Sequence, residues 1–313
     1  MKLVILEPLG IPQEQLIAMA KEAVDGEMEV VAYDTRVEDT VSLIERSRDA
    51  DAVVLSNFQY RREVMEHCPN LKLICVAFTG VDHVDVDYCR ERGITVCNCA
   101  GYSTVAVADL VFGMVIALYR RMPACDAAVR RSGTKAGLVG FELEGKKFGV
   151  IGAGAIGSRV AAIANAFGCE VYAYSRTKKE LPGVTFVDLD TLLSICDIVS
   201  LHVPATAETR DLINREKLSL MKPSAILINT ARGPVVDSQA VADALTEDRL
   251  AGAGIDVFEM EPPVPADHPL LSAKNVIATP HVAFATAESM QKRAVIVVEN
   301  IRQWLAGTPQ NVI

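Results

Sequence analysis

The sequence has no run near the ~20 consecutive apolar residues that a membrane-spanning helix requires. Its opening apolar stretch, Leu3 to Leu6, is cut off by Glu7 and Pro8, too short and too early for the core of a secretory signal. A basic excess is missing as well. The net charge is −9, which argues against a nucleic-acid-binding surface while leaving room for a local basic pocket that takes an anion. Metal-ligand spacing is also lacking. Among eight cysteines, Cys97-x-Cys99 has no second pair, and Cys75, Cys169 and Cys196 fall inside apolar patterns. Reduced, structural thiols in a cytoplasmic protein with no metal site are the expectation. No internal repeat or low-complexity tract is found, and no appended domain is expected after the last apolar helix.

What is present starts with size. At 313 residues, half of them apolar, the chain suffices for about two domains with sizeable cores. Its organising stretch is Lys146-Lys147-Phe148-Gly149-Val150-Ile151-Gly152-Ala153-Gly154-Ala155-Ile156-Gly157. An apolar strand breaks into G-x-G-x-x-G and a helical pattern runs on from Ser158 to Phe167, the strand–turn–helix setting of the dinucleotide fingerprint. Gly152 serves the tight turn, Gly154 the close approach of backbone to a pyrophosphate, and Gly157 the packing of helix on strand. Amides at the helix start, around Ala155 and Ile156, favour the phosphates. A second apolar strand, Glu170 to Tyr174, follows at the right distance to complete a βαβ unit.

Upstream, strands are read at Lys2 to Leu6, Glu29 to Tyr33, Asp51 to Leu55, Lys72 to Ala77 and Gly93 to Val96, with helices at Pro12 to Ala23, Thr40 to Ser47 and Arg61 to His67. Such alternation means a parallel sheet with helices on its faces. Residues 1–99 therefore form a small α/β domain without a phosphate fingerprint. Its fourth strand runs out into Phe78-Thr79-Gly80-Val81-Asp82-His83, where a ligand crevice would open. Gly80 there either bares backbone amides to an anion or is a plain turn residue. Thr104 to Arg120, a long apolar helical stretch after Gly101-Tyr102-Ser103, is read as the crossing into a second domain. That domain, residues 100–285, carries strands at Phe148 to Ile151, Glu170 to Tyr174, Ile198 to His202, Ala225 to Asn229, Gly252 to Asp256 and Val276 to Ala278, a doubly wound pattern. Ala285 to Leu305 is a final helix, and residues 286–313 are assigned back to the first domain.

Four more stretches lie at or just after these strand ends: Leu201-His202-Val203-Pro204, Asn229-Thr230-Ala231-Arg232-Gly233-Pro234, Gly254-Ile255-Asp256-Val257-Phe258-Glu259-Met260-Glu261-Pro262, and Thr279-Pro280-His281-Val282-Ala283. Each puts a polar group where the sheet opens on a cofactor. With the glycine loop, in this order and spacing, they resemble the D-isomer-specific 2-hydroxyacid dehydrogenases over essentially the whole chain. This is the family of glyoxylate and hydroxypyruvate reductases, D-lactate dehydrogenases and phosphoglycerate dehydrogenases. The resemblance implies a Rossmann NAD(P)-binding domain inserted into a flavodoxin-like substrate-binding domain, and hydride transfer between NAD(P)H and a small 2-oxo acid. Arg232 would grip the carboxylate and carbonyl oxygen, a task suited to a planar fork of donors. His281 would give the proton in reduction and take it in the reverse direction. Glu261 would hold the imidazole and favour its protonated form. Glu259 is its rival, two residues away, and Glu261 is preferred because the matching family position directly precedes a proline.

The resemblance also implies that Thr79 and Gly80 belong to the loop whose amides hold the substrate carboxylate. Thr104, Val203, Pro204, Thr209, Thr230, Ala231, Asp256 and Ala283 match positions lining the nicotinamide side. His202 is read as shaping that wall, and His67, His83 and His268 as surface or structural residues. Relatives dimerise through the region of Thr104 to Arg120, so a homodimer is expected, although a buried intra-chain helix would look the same. A small 2-oxo or 2-hydroxy acid is the expected partner, with neither nucleic acid nor membrane.

Two positions depart from the family pattern. An NAD-binding unit ends its second strand in an acid that accepts from the ribose 2′-hydroxyl. Here the corresponding residue, eighteen past Gly157, is Ser175, followed by Arg176, Thr177, Lys178 and Lys179. An aspartate repels a 2′-phosphate and an arginine pairs with it, so NADP is expected over NAD, with Ser175, Arg176 and Thr177 around the phosphate. Phe284 stands where the family often has a small residue; its ring either borders the substrate or packs away from it. The leading reading is an NADPH-preferring reductase of glyoxylate or hydroxypyruvate. The alternatives are a dinucleotide-binding corepressor-like protein or a phosphite dehydrogenase-like enzyme.

Overall fold

The computed structural model describes residues 1–177 and 179–313; Lys178 of the basic loop lies outside them. The chain divides into two compact units, Met1–Ser103 with Ala285–Ile313, and Thr104–Phe284. Unit 1 runs β1 (Lys2–Ile5), α1 (Gln13–Val24), β2 (Glu29–Ala32), α2 (Thr40–Ser47), β3 (Ala52–Leu55), α3 (Arg62–Met65), β4 (Leu73–Val76), α4 (Val86–Arg92) and β5 (Thr95–Cys97). The central strands β3 and β4 are buried at every residue, which is why they read as unbroken apolar runs rather than as alternating ones. All pairings are parallel, in the order β2-β1-β3-β4-β5, the flavodoxin-like arrangement. Asp39 and Asp85 cap α2 and α4 by accepting the amides of Ser42 and Tyr88.

Unit 2 runs α5 (Thr104–Tyr119), α6 (Met122–Arg130), β6 (Lys147–Ile151), α7 (Ala155–Ala166), β7 (Glu170–Tyr174), β8 (Val184–Phe186), α8 (Leu189–Ile195), β9 (Ile198–Leu201), α9 (Arg215–Leu220), β10 (Ile226–Asn229), α10 (Ser238–Thr246), β11 (Gly252–Ile255), α11 (Pro269–Ser272) and β12 (Val276–Ala278). The last helix, α12 (Ala287–Leu305), packs on α1 in unit 1 and starts with a reciprocal cap between Thr286 and Ser289. The sheet of unit 2 is parallel, ordered β8-β7-β6-β9-β10-β11-β12. Renumbered within the unit this is 3-2-1-4-5-6 with one strand more, the doubly wound dinucleotide-binding order. The sequence leads to six strands here. The seventh, β8, is a three-residue edge strand with no buried side chain, so it offers no apolar run to read.

Two apolar layers cover the sheet. One joins α5 and α7 to the strands through Val111, Val115, Val160, Phe148 and Ile228. The other joins α8 and α10 through Leu192, Leu193, Val199, Leu227 and Val241. The α5 helix, with half of its side chains buried, is thus a core helix of unit 2. All eight cysteines are free thiols, seven of them buried. Burial pushes Cys89 and Cys169 up to about 11 and Cys97 and Cys196 up to about 12, which keeps them protonated and inert. Among the described residues no helix is long and apolar enough to cross a membrane.

Candidate active site

Strand register explains why scattered motifs meet. Tyr174, Ile151, Leu201, Asn229, Ile255 and Ala278 are paired neighbours across the sheet of unit 2. The residues that follow them, Ser175, Gly152, His202, Thr230, Asp256 and Thr279, therefore leave the carboxyl edge in a single row. Five strand spacings of about 4.8 Å separate the two ends of that row, roughly 24 Å of edge. The sheet reverses its winding between β6 and β9, where ligands of such sheets bind. Gly152 and His202 flank this point.

The glycine loop divides its labour there. Gly152 has φ +100°, and a Cβ on it would strike the His202 carbonyl. A Cβ on Gly157 would collide with the Gly152 carbonyl oxygen, so α7 closes on the turn only because that residue is glycine. Gly154 differs from both: a Cβ there would enter open space. Its lack of a side chain answers no neighbour in the chain and leaves the backbone accessible to a ligand. No side chain caps α7, so its first-turn amides suit an anion. At the catalytic end of the row, the Thr230 hydroxyl is buried with no hydrogen-bond partner among the described residues, as a group meant for a bound molecule would be. These features fit a dinucleotide, with Gly154 and the first amides of α7 as the groups that would hold its pyrophosphate.

The catalytic candidates come from three consecutive strand-end loops. Asn229 shapes the first: its side chain donates to the Arg232 carbonyl at 3.0 Å and accepts the Ala231 amide at 3.0 Å. Arg232 has extended backbone, and its Nη1 donates to the Ala231 carbonyl at 2.8 Å. In the second loop, Glu261 receives His281 Nδ1 at 2.8 Å on Oε2 and 3.1 Å on Oε1. Glu259 is engaged elsewhere, with His268. The third loop carries His281 at φ 56°, a conformation that costs a residue with a Cβ roughly 1 kcal/mol or more. Its hold is Asp256. The His281 amide donates to the Asp256 carbonyl at 2.8 Å. The fully buried Asp256 carboxylate takes the Thr279 hydroxyl at 2.6 Å and the amides of Val282 and Ala283 at 2.8 and 2.9 Å. Sequence places Asp256 on the nicotinamide wall; the structure adds that it builds the histidine loop.

Of the remaining candidates, Ala231 and Ala283 fall in these loops, and the others lie after β4, β7 and β9 or at the start of α5. Val203 abuts Gly152, and the Thr209 hydroxyl donates to the Pro204 carbonyl at 2.6 Å, closing that loop. Ala231 and Ala283 are buried, Thr104 begins α5, and Arg176 and Thr177 are exposed beyond the half-buried Ser175. The Glu208 carboxyl is held below its usual range first by the Thr206 hydroxyl that donates to it, and in the smallest part by the charge of Arg176. Phe284 stands edge-on to His281, ring centres 5.5 Å apart at 90°, so it packs on the imidazole. Thr79 and Gly80 follow β4 in unit 1, where Asn98 donates to the Thr79 carbonyl at 2.8 Å.

A glycine loop at the switch point and a carboxylate-held imidazole on the same edge define a dinucleotide-dependent dehydrogenase. Comparison makes the class specific: residues 112–283 match the NAD binding domain of the D-isomer specific 2-hydroxyacid dehydrogenases, and the chain belongs to that family. A glyoxylate reductase of Thermococcus litoralis is 41% identical over 285 residues, covering 87% of this chain and 86% of that protein. A hydroxypyruvate reductase of Blautia hydrogenotrophica is 35% identical over 324 residues, covering 100% and 99%. Among solved structures, an acyclic imino acid reductase in complex with NADPH and D-Arg matches with TM-score 0.91 at 34% identity over the full length of both chains. The chain is accordingly an NAD(P)-dependent oxidoreductase of the 2-hydroxyacid dehydrogenase type.

Proposed function

We propose that this enzyme reduces a small 2-oxo acid, of the glyoxylate or hydroxypyruvate kind, to the D-2-hydroxy acid with NADPH, as a cytoplasmic homodimer. The observation that carries the reading is the contact between His281 Nδ1 and Glu261 at 2.8 Å, one strand-end loop away from Arg232. With Nδ1–H committed to the carboxylate, proton exchange falls to Nε2. Arg232 binds the substrate carboxylate and carbonyl oxygen through its fork of donors. His281 then delivers a proton from Nε2 to that oxygen as it gains charge, and Glu261 stabilises the imidazolium while it lasts. The bound nicotinamide supplies the hydride. Gly154 and the first-turn amides of α7 would hold the pyrophosphate, and Thr230 and Asp256 would border the nicotinamide. Thr79 and Gly80 enter the reading as carboxylate-holding amides through family resemblance.

The preference for NADPH rests on Ser175 and Arg176, which put a hydroxyl and a cation where an acid would serve a ribose hydroxyl. The likeness to an imino acid reductase supports a second reading, in which the group reduced is the C=N bond of a 2-imino acid that offers Arg232 the same carboxylate. The test is kcat/KM over a panel of 2-oxo acids, alone and with an added amine, using NADPH and NADH in parallel. Fast turnover of a small 2-oxo acid with NADPH is the expected result. Cofactor binding without turnover would favour a corepressor-like protein, and equal or better use of NADH would reject the cofactor preference.

A further inference from the structure

The loop that carries Glu261 is held at a second point that the chemistry above does not use. Glu259 Oε2 lies 3.0 Å from Nε2 of the buried His268. The His268 ring stands edge-on to Phe258 at 5.1 Å and 87°, and its Nδ1 accepts the Leu270 amide at 3.4 Å at the start of α11. With Nδ1 accepting, Nε2 carries the hydrogen and donates to Glu259. The main chain of this loop also lies tight against the turn after Arg232, because a Cβ on Gly233 would collide with the Phe258 carbonyl and crowd the Glu259 amide. Residue 259 therefore joins the turn after Arg232, by main-chain contact at Gly233, to the loop that presents Glu261, and its carboxylate pins that loop to His268 at the start of α11.

We propose that Glu259, braced by His268, is a positioning residue that fixes the spacing between the Arg232 guanidinium and the Glu261–His281 proton couple. It reaches neither substrate nor cofactor. It acts by immobilising two loops whose side chains must meet one small molecule, where an error near 1 Å costs about a hundredfold in rate. The inference rests on the triad reading given above, and the two can fail separately.

The experiment is steady-state kinetics with glyoxylate and NADPH, together with the Kd for NADPH. Glu259→Ala should lower kcat by about tenfold or more and raise the glyoxylate KM severalfold, with the NADPH Kd unchanged. Glu259→Gln keeps an acceptor oxygen for His268 and should recover most of the loss. His268→Ala removes the other end of the brace, so it should reproduce the losses of Glu259→Ala with the NADPH Kd unchanged, and it carries the test if Glu259→Ala does not fold. Unchanged kcat and KM in Glu259→Ala, a Glu259→Gln as impaired as Glu259→Ala, or unchanged kcat and KM in His268→Ala would each overturn the brace. His281→Ala is measured alongside: near-normal turnover there sinks the triad itself, whereas loss of turnover there leaves the brace to be judged on its own variants.

Discussion

The amide of His281 donates to the carbonyl of Asp256 at 2.8 Å, and the carboxylate of the same aspartate receives the next two amides of the histidine loop. Two neighbouring strands thus deliver one working part. β11 ends in the acid, β12 ends beside it, and the chain after β12 wraps around that acid until His281 sits at φ 56°. The backbone strain at the histidine is offset by hydrogen bonds to a buried charge, which are among the stronger ones a protein makes.

Asp256→Asn tests that arrangement. The substitution replaces one carboxylate oxygen with an NH2 group facing an N–H donor in a fully buried site. The expected cost is about 1–3 kcal/mol of stability. Turnover should fall by about tenfold or more as His281 loses its placement. Thermal melting and kcat check this; parent values for both would contradict it.

The glycine loop gives a paired prediction. Gly154→Ala should fold with the parent Tm, because its Cβ enters open space, yet lose much of its dinucleotide affinity if that space takes the pyrophosphate as proposed. Gly157→Ala should lower Tm even without cofactor, because its Cβ meets the Gly152 carbonyl and overpacking costs about 1–3 kcal/mol. Melting curves of the cofactor-free proteins, followed by NADPH titration, separate the two outcomes. A Gly154→Ala protein that binds NADPH as well as the parent would remove the phosphate role from this loop.

Arg176→Ala addresses the cofactor. A charge-assisted bond to a 2′-phosphate is worth about 1.5–3 kcal/mol, so kcat/KM for NADPH should drop by about one to two orders of magnitude while that for NADH barely moves. An equal loss with both cofactors would mean that Arg176 serves the loop rather than the phosphate.

Much of this site is legible in sequence because its parts are local. The glycines lie within six residues of one another, and each strand-end motif follows its own apolar run. The choice of Glu261 over Glu259 rests on a proline in the sequence; in the structure each glutamate has its own histidine, Glu261 with His281 and Glu259 with His268. What sequence does not reveal depends on pairing across the sheet. Asp256 can bind the amides of Val282 and Ala283 only because β11 lies beside β12, and nothing near Asp256 in the chain announces that. The approach of Gly233 to the loop that Glu259 and His268 brace joins the ends of β10 and β11 and is hidden for the same reason. Phe284 points to the imidazole through packing alone, and β8 is too short and too exposed to leave a pattern.

The final prediction concerns acid stability and His202. Its Nε2 lies 2.9 Å from the Ser200 hydroxyl, and burial of part of its surface lowers its pKa from the ordinary 6.5 to about 3. The folded chain therefore refuses a proton that the unfolded chain accepts between those values. The sign follows: the contribution of a neutral His202 is fully present above pH 6.5 and drains as pH falls toward 3, at no more than about 1.4 kcal/mol per pH unit. At about 2–4 °C per kcal/mol for a unit of this size, the parent should lose several degrees of Tm between pH 7.5 and pH 4.5 through this group. His202→Gln keeps a partner for Ser200 and carries no titrating ring, so its Tm should fall less over the same interval. Because Gly152 packs against the His202 carbonyl at the switch point, NADPH should protect the parent from acid at least as well as it protects the variant. Parallel Tm–pH curves for the two proteins would mean that His202 takes up its proton in the folded state as readily as in the unfolded one, and that the wall it forms is open to water.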